Sequence, residues 1–475
     1  MIADALRFIT GNRKTNLDYD GAATNDRRFM PTTRLKSTDQ LLTKTKRKRL
    51  TNAARDLQRN FAVAAWAIRR HLDYVARFSF EPKTGDKGLD AELRALMEWF
   101  SRPHNCDVAG RHSLPQLIRM AEERRTIDGD VFFVKLSNGQ LQAIESDRVR
   151  DPDKIVDDEQ WVHGIRVNTG GRSKRLAVWR RDGQGGYDFE RTVGFNNVYH
   201  LGYYQRFDQV RGISPLAPAI NSLRDLYENF DFALAKMKIS QMFGLVVTRE
   251  AAGGFGDYTK TDDPSGYKVD MGKGPVLLDM DPGDSAEIIE SKTPSTEFQH
   301  FTQAMTSLSL KALDIPYSFY DEGYTNFFGS RSAFIHYEKA CKAKQQQLSD
   351  LLDHITGWRM KLFIADGTLK LPRGLTLGQL NWEWVADGTP WWNPLQEINA
   401  DIAAINNGLK TRSMVVRERH GKEFRDVVDE LASEQSYMSE AGIIVDIAGV
   451  PLDADQAGEE IQRQAIEIVD REDEL

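Results

Sequence analysis

The stretch Gly-Tyr-Tyr-Gln-Arg-Phe-Asp-Gln-Val-Arg-Gly-Ile-Ser-Pro-Leu-Ala-Pro, residues 202–218, opens the part of the chain whose reading decides the fold. Ser214-Pro215 is a strong helix start, with Ser as the cap and Pro at the first helical position. Apolar or aromatic residues then recur at Leu216, Ile220, Leu223, Tyr227, Phe230, Leu234 and Met237. Their spacing alternates four and three, a heptad seam that packs against neighbouring helices within or between subunits. A helix over 215–243 would be on the order of 43 Å long. Beyond it, Leu245 to Thr248 fits a strand, Gly253 to Gly274 a glycine-rich excursion, and Pro275 to Leu278 and Ala286 to Ile289 two more strands. Thr293-Pro294 starts a second helix carried to about Leu313. After an aromatic loop, Ser330 can cap a third, with a seam of Phe334, Tyr337, Cys341, Leu348, Leu351, Ile355, Trp358 and Leu362. Helices flanking a small strand-rich section suit a ring-forming mechanical part better than an enzyme.

Working outward, residues 1–35 are polar with no period, which predicts a mobile arm. Ser37 or Thr38 caps a helix through the basic stretch. A second helix covers Phe61 to Arg77, followed by a strand at Phe78 to Pro82. Further helices are expected over Leu89 to Phe100 and from Ser113-Leu114-Pro115 to about Asp128-Gly129. The period then switches to two. Val131 to Leu136, the turn Asn138-Gly139 and Leu141 to Ile144 form a hairpin. Strands over Trp161 to Val167, Leu176 to Arg180 and Val198 to Leu201 complete an α+β body. On the C-terminal side, Asn393-Pro394-Leu395-Gln396 fits a capped helix start and Gly408 its end. The remainder is helical and acidic.

The 475 residues are 40% apolar and 28% charged, ordinary for a soluble globular chain with two or three domains. Cys106 and Cys341 give neither a disulfide framework nor metal-ligand spacing. The N-terminus lacks a signal peptide's basic start and long apolar core, and no apolar run is long enough for a bilayer. A soluble, cytosolic product is expected. The net charge of −7 is uneven: residues 1–59 carry 14 Lys/Arg against 6 Asp/Glu, and residues 422–475 carry 4 against 16. Lys46-Arg47-Lys48-Arg49 is either a nucleic-acid patch or the solvated face of a helix. An acidic chain argues against tight static DNA binding, because phosphate neutralisation supplies most of that affinity.

Catalytic signatures are missing. The closest approach to a phosphate loop, around Gly272-Lys273-Gly274, has the wrong spacing and no hydroxyl after the lysine. The nine histidines do not cluster at metal-ligand spacing, and His200 fits a structural role. No cofactor is expected. Asp279, Asp281 and Asp284 could hold Mg²⁺ for a nuclease, but their Pro and Gly neighbours favour a plain turn. A basic-arm DNA-binding protein using residues 44–49 is the other alternative.

Several pieces together resemble the portal proteins of tailed bacteriophages, lambda type, over roughly residues 60–440. They are Asp128-Gly129-Asp130-Val131-Phe132, Ala143 to Val149, His163-Gly164-Ile165, Val198 to Leu201, and Arg206 with Gln209 to Leu216. Asp281 to Asp284, Leu313 to Tyr317, Asn326 to Arg331 and Trp392 to Glu397 continue the series in the same order. The family's Asn-Tyr-Ser-Ser-x-Arg loop stands here as Asn326-Phe327-Phe328-Gly329-Ser330-Arg331.

The resemblance implies an α+β, ring-forming portal fold: a homo-dodecamer at one capsid vertex, around a channel for double-stranded DNA. On that pattern, residues 1–35 are an arm, 36–213 the wing, 214–243 a stem helix and 244–295 the clip. A second stem helix spans 296–316 and the tunnel loop 317–329. Residues 330–395 return to the wing, and 396–475 form an acidic helical crown. Asp321, Glu322, Tyr324, Asn326, Phe328 and Arg331 would face the channel; the seam residues above would pack the stem. The implied partners are DNA without sequence preference, the large terminase, the major capsid protein and scaffold, and a head–tail adaptor, with no membrane. The implied setting is the virion, with the host cytoplasm during assembly.

Overall fold

The computed structural model describes residues 36–153, 160–242, 245–249, 284–288, 296–321, 327–388 and 394–440. The order begins α1 (Thr38–Leu41), α2 (Lys44–Asn60), α3 (Ala62–Val75), β1 (Phe78–Pro82), α4 (Lys87–Ser101), α5 (Pro103–Cys106) and α6 (Leu114–Asp128). Next come β2 (Asp130–Lys135), β3 (Leu141–Glu145), β4 (Trp161–Val162), β5 (Ile165–Val167), β6 (Ser173–Arg181), β7 (Tyr187–Gly194) and β8 (Val198–Gly202). Then follow α7 (Ile220–Met242), β9 (Leu245–Arg249), β10 (Asp284–Ile288), α8 (Thr296–Leu310), α9 (Phe327–Ala365) and β11 (Trp382–Ala386). Last are α10 (Pro394–Asn406), α11 (Arg412–His420) and α12 (Phe424–Glu440). The chain is thus α+β. It divides into two compact units: Met1–Trp66 with Glu123–Leu136 and Gln142–Leu313, and Ala67–Glu122 with Ser137–Leu141 and Asp314–Leu475.

The first unit is built on a three-stranded sheet, β3-β2-β8, and a four-stranded sheet, β4-β5-β6-β7. Strand β2 runs antiparallel to β8, from Asp130 opposite Gly202 to Val134 opposite Val198. Phe132, Val134, Ile144, Val149, Ile165, Val167, Leu176, Val178 and Val198 form one buried cluster. Alternation along β2, β5 and β6 sends Phe132 and Val134, Ile165 and Val167, and Leu176 and Val178 inward, which is how a period of two becomes a core.

At the entrance to β2 two backbones touch. Gly129 has φ 99, and a Cβ there would lie 2.6 Å from the Gly212 carbonyl oxygen. Only glycine fits at that approach. The contact carries Asp130 to Arg211, both fully buried. Arg211 donates from Nε to Asp130 Oδ2 at 2.7 Å and from Nη2 to Oδ1 at 2.9 Å. Its other bonds go to Ser146 Oγ at 2.8 Å and to the backbone oxygens of Ser146, Val149 and His163. The Gly212 N–H also donates to Asp130, at 2.9 Å. Arg47 of α2 adds a second guanidinium, 3.1 Å from Asp130 and 3.0 Å from the Gly212 oxygen. Burial alone would raise the Asp130 pKa, but the charges of Arg211 and Arg47 and the bond from His200 hold it well below the carboxylate range.

The second unit pairs β1 antiparallel to β11, from Phe78 opposite Ala386 to Pro82 opposite Trp382. Helix α9 packs on β11: Trp384 Nε1 donates to Thr356 at 3.0 Å and Trp382 Nε1 to Asp353 at 3.1 Å. Tyr337, Cys341, Leu348, Leu351 and Ile355 of the expected seam are buried, and Phe334, Trp358 and Leu362 are half-buried.

Three expectations need correction. The strand over 161–167 is two strands, because His163 and Gly164 both take positive φ, 48 and 91, and turn the chain. The helix expected from 215 begins at Ile220, after a tight turn over Ala217–Ala219. Pro218 lacks the N–H that a helix started at Pro215 would use to stay regular, and Ser214 Oγ accepts the Leu216 N–H instead, at 3.1 Å. Ser330 is not a cap, since α9 already starts at Phe327. The strand expected at 275–278 lies outside the described residues.

Breaking the Arg211–Asp130 pair is expected to be costly because it strands a buried charge. Arg211→Met should lose about 3–5 kcal/mol of stability, read by denaturant unfolding at fixed protein concentration. Asp130 is depressed in the fold, so its contribution is full above the unfolded carboxylate pKa of about 3.9 and is lost as pH falls below it. Wild-type stability should therefore drop in acid below that pH, and the Asp130→Asn protein should show less of that drop.

Candidate functional site

Helices α7 and α8 carry the seam. Leu216, Ile220 and Leu223 are buried, as is Leu226 beside them. Phe61, the last residue before α3, stacks edge-on against Tyr227 with ring centroids 5.5 Å apart. Past that point the seam surfaces. Tyr227, Phe230 and Leu234 are exposed and Met237 is half-buried. Phe230 meets Phe298 of α8 edge-on at 6.2 Å, and lower on the pair Ser309 Oγ donates to Ser222 Oγ at 3.2 Å. Phe232 of α7 and Phe301 and Leu308 of α8 add further exposed apolar surface. One end of the helix pair is therefore a core element and the other an apolar face. Strands β9 and β10, which follow α7 and precede α8, pair antiparallel from Leu245 opposite Ile288 to Arg249 opposite Asp284.

The segment expected as a channel loop, 317–329, belongs to the second unit. Its described ends are helical: Tyr317–Phe319 is a tight helical turn, and Phe327, Phe328 and Gly329 form the first turn of α9. Phe319 is packed among Tyr74, Phe334 and Tyr337 at centroid distances of 5.3–6.2 Å. The Leu313-Asp314-Ile315-Pro316 motif is a bend in which Asp314 takes φ 62, a conformation short polar side chains tolerate. Asp321 is half-buried. Glu322, Tyr324 and Asn326 lie outside the described residues. Arg331 pairs with Glu397 of α10, which also receives Arg419 of α11 at 3.1 Å. Arg419 further bonds Asp401 at 3.2 Å.

The charged groups around the sheets pair with one another. Asp128, Glu145 and Asp147 gather closely enough to hold a cation, but Arg55 supplies one. Its Nε and Nη2 reach Asp128 at 2.7 and 2.5 Å, and Nη2 reaches Asp147 at 2.9 Å and Glu145 at 3.3 Å. Arg181 closes the other side, 2.6 Å from Glu145 and 2.9 Å from Asp147. Arg47 and Arg55 thus turn two cations of the basic stretch inward, while Lys46, Lys48 and Arg49 are exposed. Burial pushes the Cys106 thiol up to about 12 and the Cys341 thiol up to about 11, the opposite of a reactive cysteine. His200, stacked on Phe132 at 4.2 Å and 3.3 Å from Asp130, is lowered by burial and serves the same network. Asp279 and Asp281 lie outside the described residues. Among the described residues, no helix is long and apolar enough to cross a membrane.

The sequence pattern did not single out the Asp130 network. Asp130 and Arg211 lie 81 positions apart; their only local signal is a glycine beside each.

The family model "Phage portal protein, lambda family" matches residues 26–345. The chain belongs to this family. A "Probable portal protein" of Halomonas phage phiHAP-1 (isolate -/Gulf of Mexico/-/2001) is 25% identical to this portal chain over 394 residues, covering 75% of this chain and 73% of the relative. Among solved structures, a chain of the virion of the native gene transfer agent particle gives a TM-score of 0.47 at 14% identity, covering 78% of this chain and 93% of that chain. A chain from the neck of the empty gene transfer agent particle gives 0.47 at 13%, covering 76% and 92%.

The two halves of the portal seam should respond differently to the same change. Leu223→Asp places a charge in a packed site and should cost about 3 kcal/mol or more. Phe230→Asp removes a partly exposed ring that touches only Phe298 among the contacts above and should cost the unassembled chain less, on the order of 1 kcal/mol. Melting curves at low protein concentration compare them.

Proposed function

We propose that this portal protein forms a closed ring, a dodecamer, at one vertex of a phage capsid, with a central channel for double-stranded DNA. The observation that carries the reading is the α7–α8 pair, whose seam is buried at one end and apolar and exposed at the other. Each exposed Phe or Leu that becomes buried contributes about 1.5–3 kcal/mol, and repeating a head-to-tail contact between identical chains closes a ring when the rotation per step divides the circle. Residues 214–243 and 296–316 are the stem in this reading, and residues 36–213 the wing, which 330–395 rejoins. The β9–β10 ribbon is the root of a clip at 244–295, where the large terminase docks during packaging and a head–tail adaptor afterwards. Residues 396–475 are the crown, and the capsid protein and scaffold surround the ring.

The channel role follows from charge. A conduit that grips phosphate adds drag at every contact, because each Lys or Arg that neutralises a phosphate raises affinity. A chain of net charge −7 repels DNA weakly and lets it slide in and out. Asp321 and Glu322, with Tyr324, Asn326 and Phe328 beside them and Arg331 at the base, form the tunnel loop.

Two experiments test this. Phe230→Asp should keep the chain folded and abolish rings in light scattering; wild-type rings from that variant would remove the seam from the interface. Asp321→Lys with Glu322→Lys should leave rings and empty heads normal while slowing packaging or impairing DNA retention. Normal packaging and retention by that protein would sink the channel assignment.

A further inference from the structure

Helix α10 buries two acids and leaves three large apolar residues open. Glu397 and Asp401 are each 7% exposed, while Leu395 keeps 73% of its surface open, Ile402 50% and Ile398 37%. The acids are held by cations of the same unit. Arg331 of α9 and Arg419 of α11 pair with Glu397. Arg419 and Lys410 pair with Asp401, at 3.2 and 3.3 Å. The helix therefore stands on a line of ion pairs, and its large apolar residues lie to one side of that line. A single exposed Leu is ordinary on a protein surface. Here the spacing is that of a seam: Leu395, Ile398 and Ile402 stand three and four apart, and Ile405, half-buried, continues the series. Such a seam packs knobs into holes on another helix.

The rest of the helix fits a second copy of itself. Its only ionisable residues are the two paired acids, so its open surface carries no charge. The chain beyond it is strongly acidic: residues 422–475 hold 4 Lys/Arg against 16 Asp/Glu. Copies of α12 set side by side would bring like charges together, which costs several kcal/mol; copies of α10 would not. Ala400 and Ala403, both exposed, give α10 a second flank of small side chains, the shape that receives a Leu or Ile knob. At about 100° per residue the two flanks point roughly 140° apart around the helix axis. Identical helices side by side in a closed ring need contact directions 180° less 360°/n apart, about 150° for twelve copies. Asn399 and Asn406 fall between the flanks, away from Glu397 and Asp401, so neutral amides face the ring axis and the ion pairs face outward. We infer that the Leu395–Ile398–Ile402 flank of one copy packs on the Ala400–Ala403 flank of the next copy's α10. The flanks differ, so the contact is head-to-tail, the kind that closes rings. The inference rests on the ring reading above and specifies a contact in it apart from the stem.

A pair of cysteines in the full-length chain tests this. With the helix along the ring axis, equal residues stand at one level, which sets Ile402 of one copy against Ala400 and Ala403 of the next. Assembled rings carrying both Ile402→Cys and Ala400→Cys should, on oxidation, give a ladder of disulfide-linked multimers on a non-reducing gel. The two positions point to different sides of the helix, so the pair cannot close within one chain. Either substitution alone should leave monomers, as should the wild type, whose Cys106 and Cys341 are buried. Separately, Ile402→Asp should raise the concentration for half-assembly by at least about tenfold with the melting temperature of the unassembled chain unchanged. Rings whose double variant stays uncrosslinked, or Ile402→Asp rings that assemble as wild type, would mean that something else covers the seam, residues 441–475 included. Either result would overturn the α10 contact and leave the ring reading standing. Dimers from Ile402→Cys alone would show the seam meeting its own copy and would also overturn the head-to-tail contact. A chain that stays monomeric before oxidation would overturn both the contact and the ring.

Discussion

A single buried carboxylate organises the first unit. Asp130 accepts from Arg211, Arg47, Ser146 and the Gly212 backbone, so three other chain segments converge on one charge. In a low-dielectric site such a charge is stable only when fully paired and hydrogen-bonded. That requirement fixes where α6 ends, where β2 begins, how β8 leaves the sheet and where α2 lies. The approach of Gly129 to Gly212 is its steric counterpart: no side chain can be placed there without moving the two backbone segments apart. The loop after β8 and the start of α7 both leave from this point, so their directions are inherited from it.

Most local elements were legible because their signals are local. Helix α4 and strand β1 fall within a few residues of expectation, and the 131–144 hairpin turns at Asn138-Gly139, where Gly139 has φ 83. What was missed depends on something a short window does not contain. Strand β7 has no buried residue, so no apolar alternation marks it. The break at His163-Gly164 is set by the Arg211 guanidinium, which takes the His163 oxygen. The start of α7 was misjudged because Ser214-Pro215 is a good cap signal and Pro218 spoils it three residues later. The basic stretch was ambiguous for the same reason: whether Arg47 faces water or Asp130 is decided 83 positions away.

The candidate site was legible as a pattern and not as an environment. The heptad seam names Leu223 and Phe230 alike, yet one is buried and the other open. Periodicity reports that a helix face is apolar and leaves open what covers it. In the proposed ring, that missing cover is the functional information. The family match places the chain among the lambda-family phage portal proteins.

The central proposal is that these surfaces close a ring. Electron-microscopy top views of the purified full-length chain, taken alongside light scattering, test it most directly. Closed rings of uniform rotational symmetry, with an open centre wide enough for duplex DNA, are the expected result. A monodisperse monomer at every concentration would contradict it.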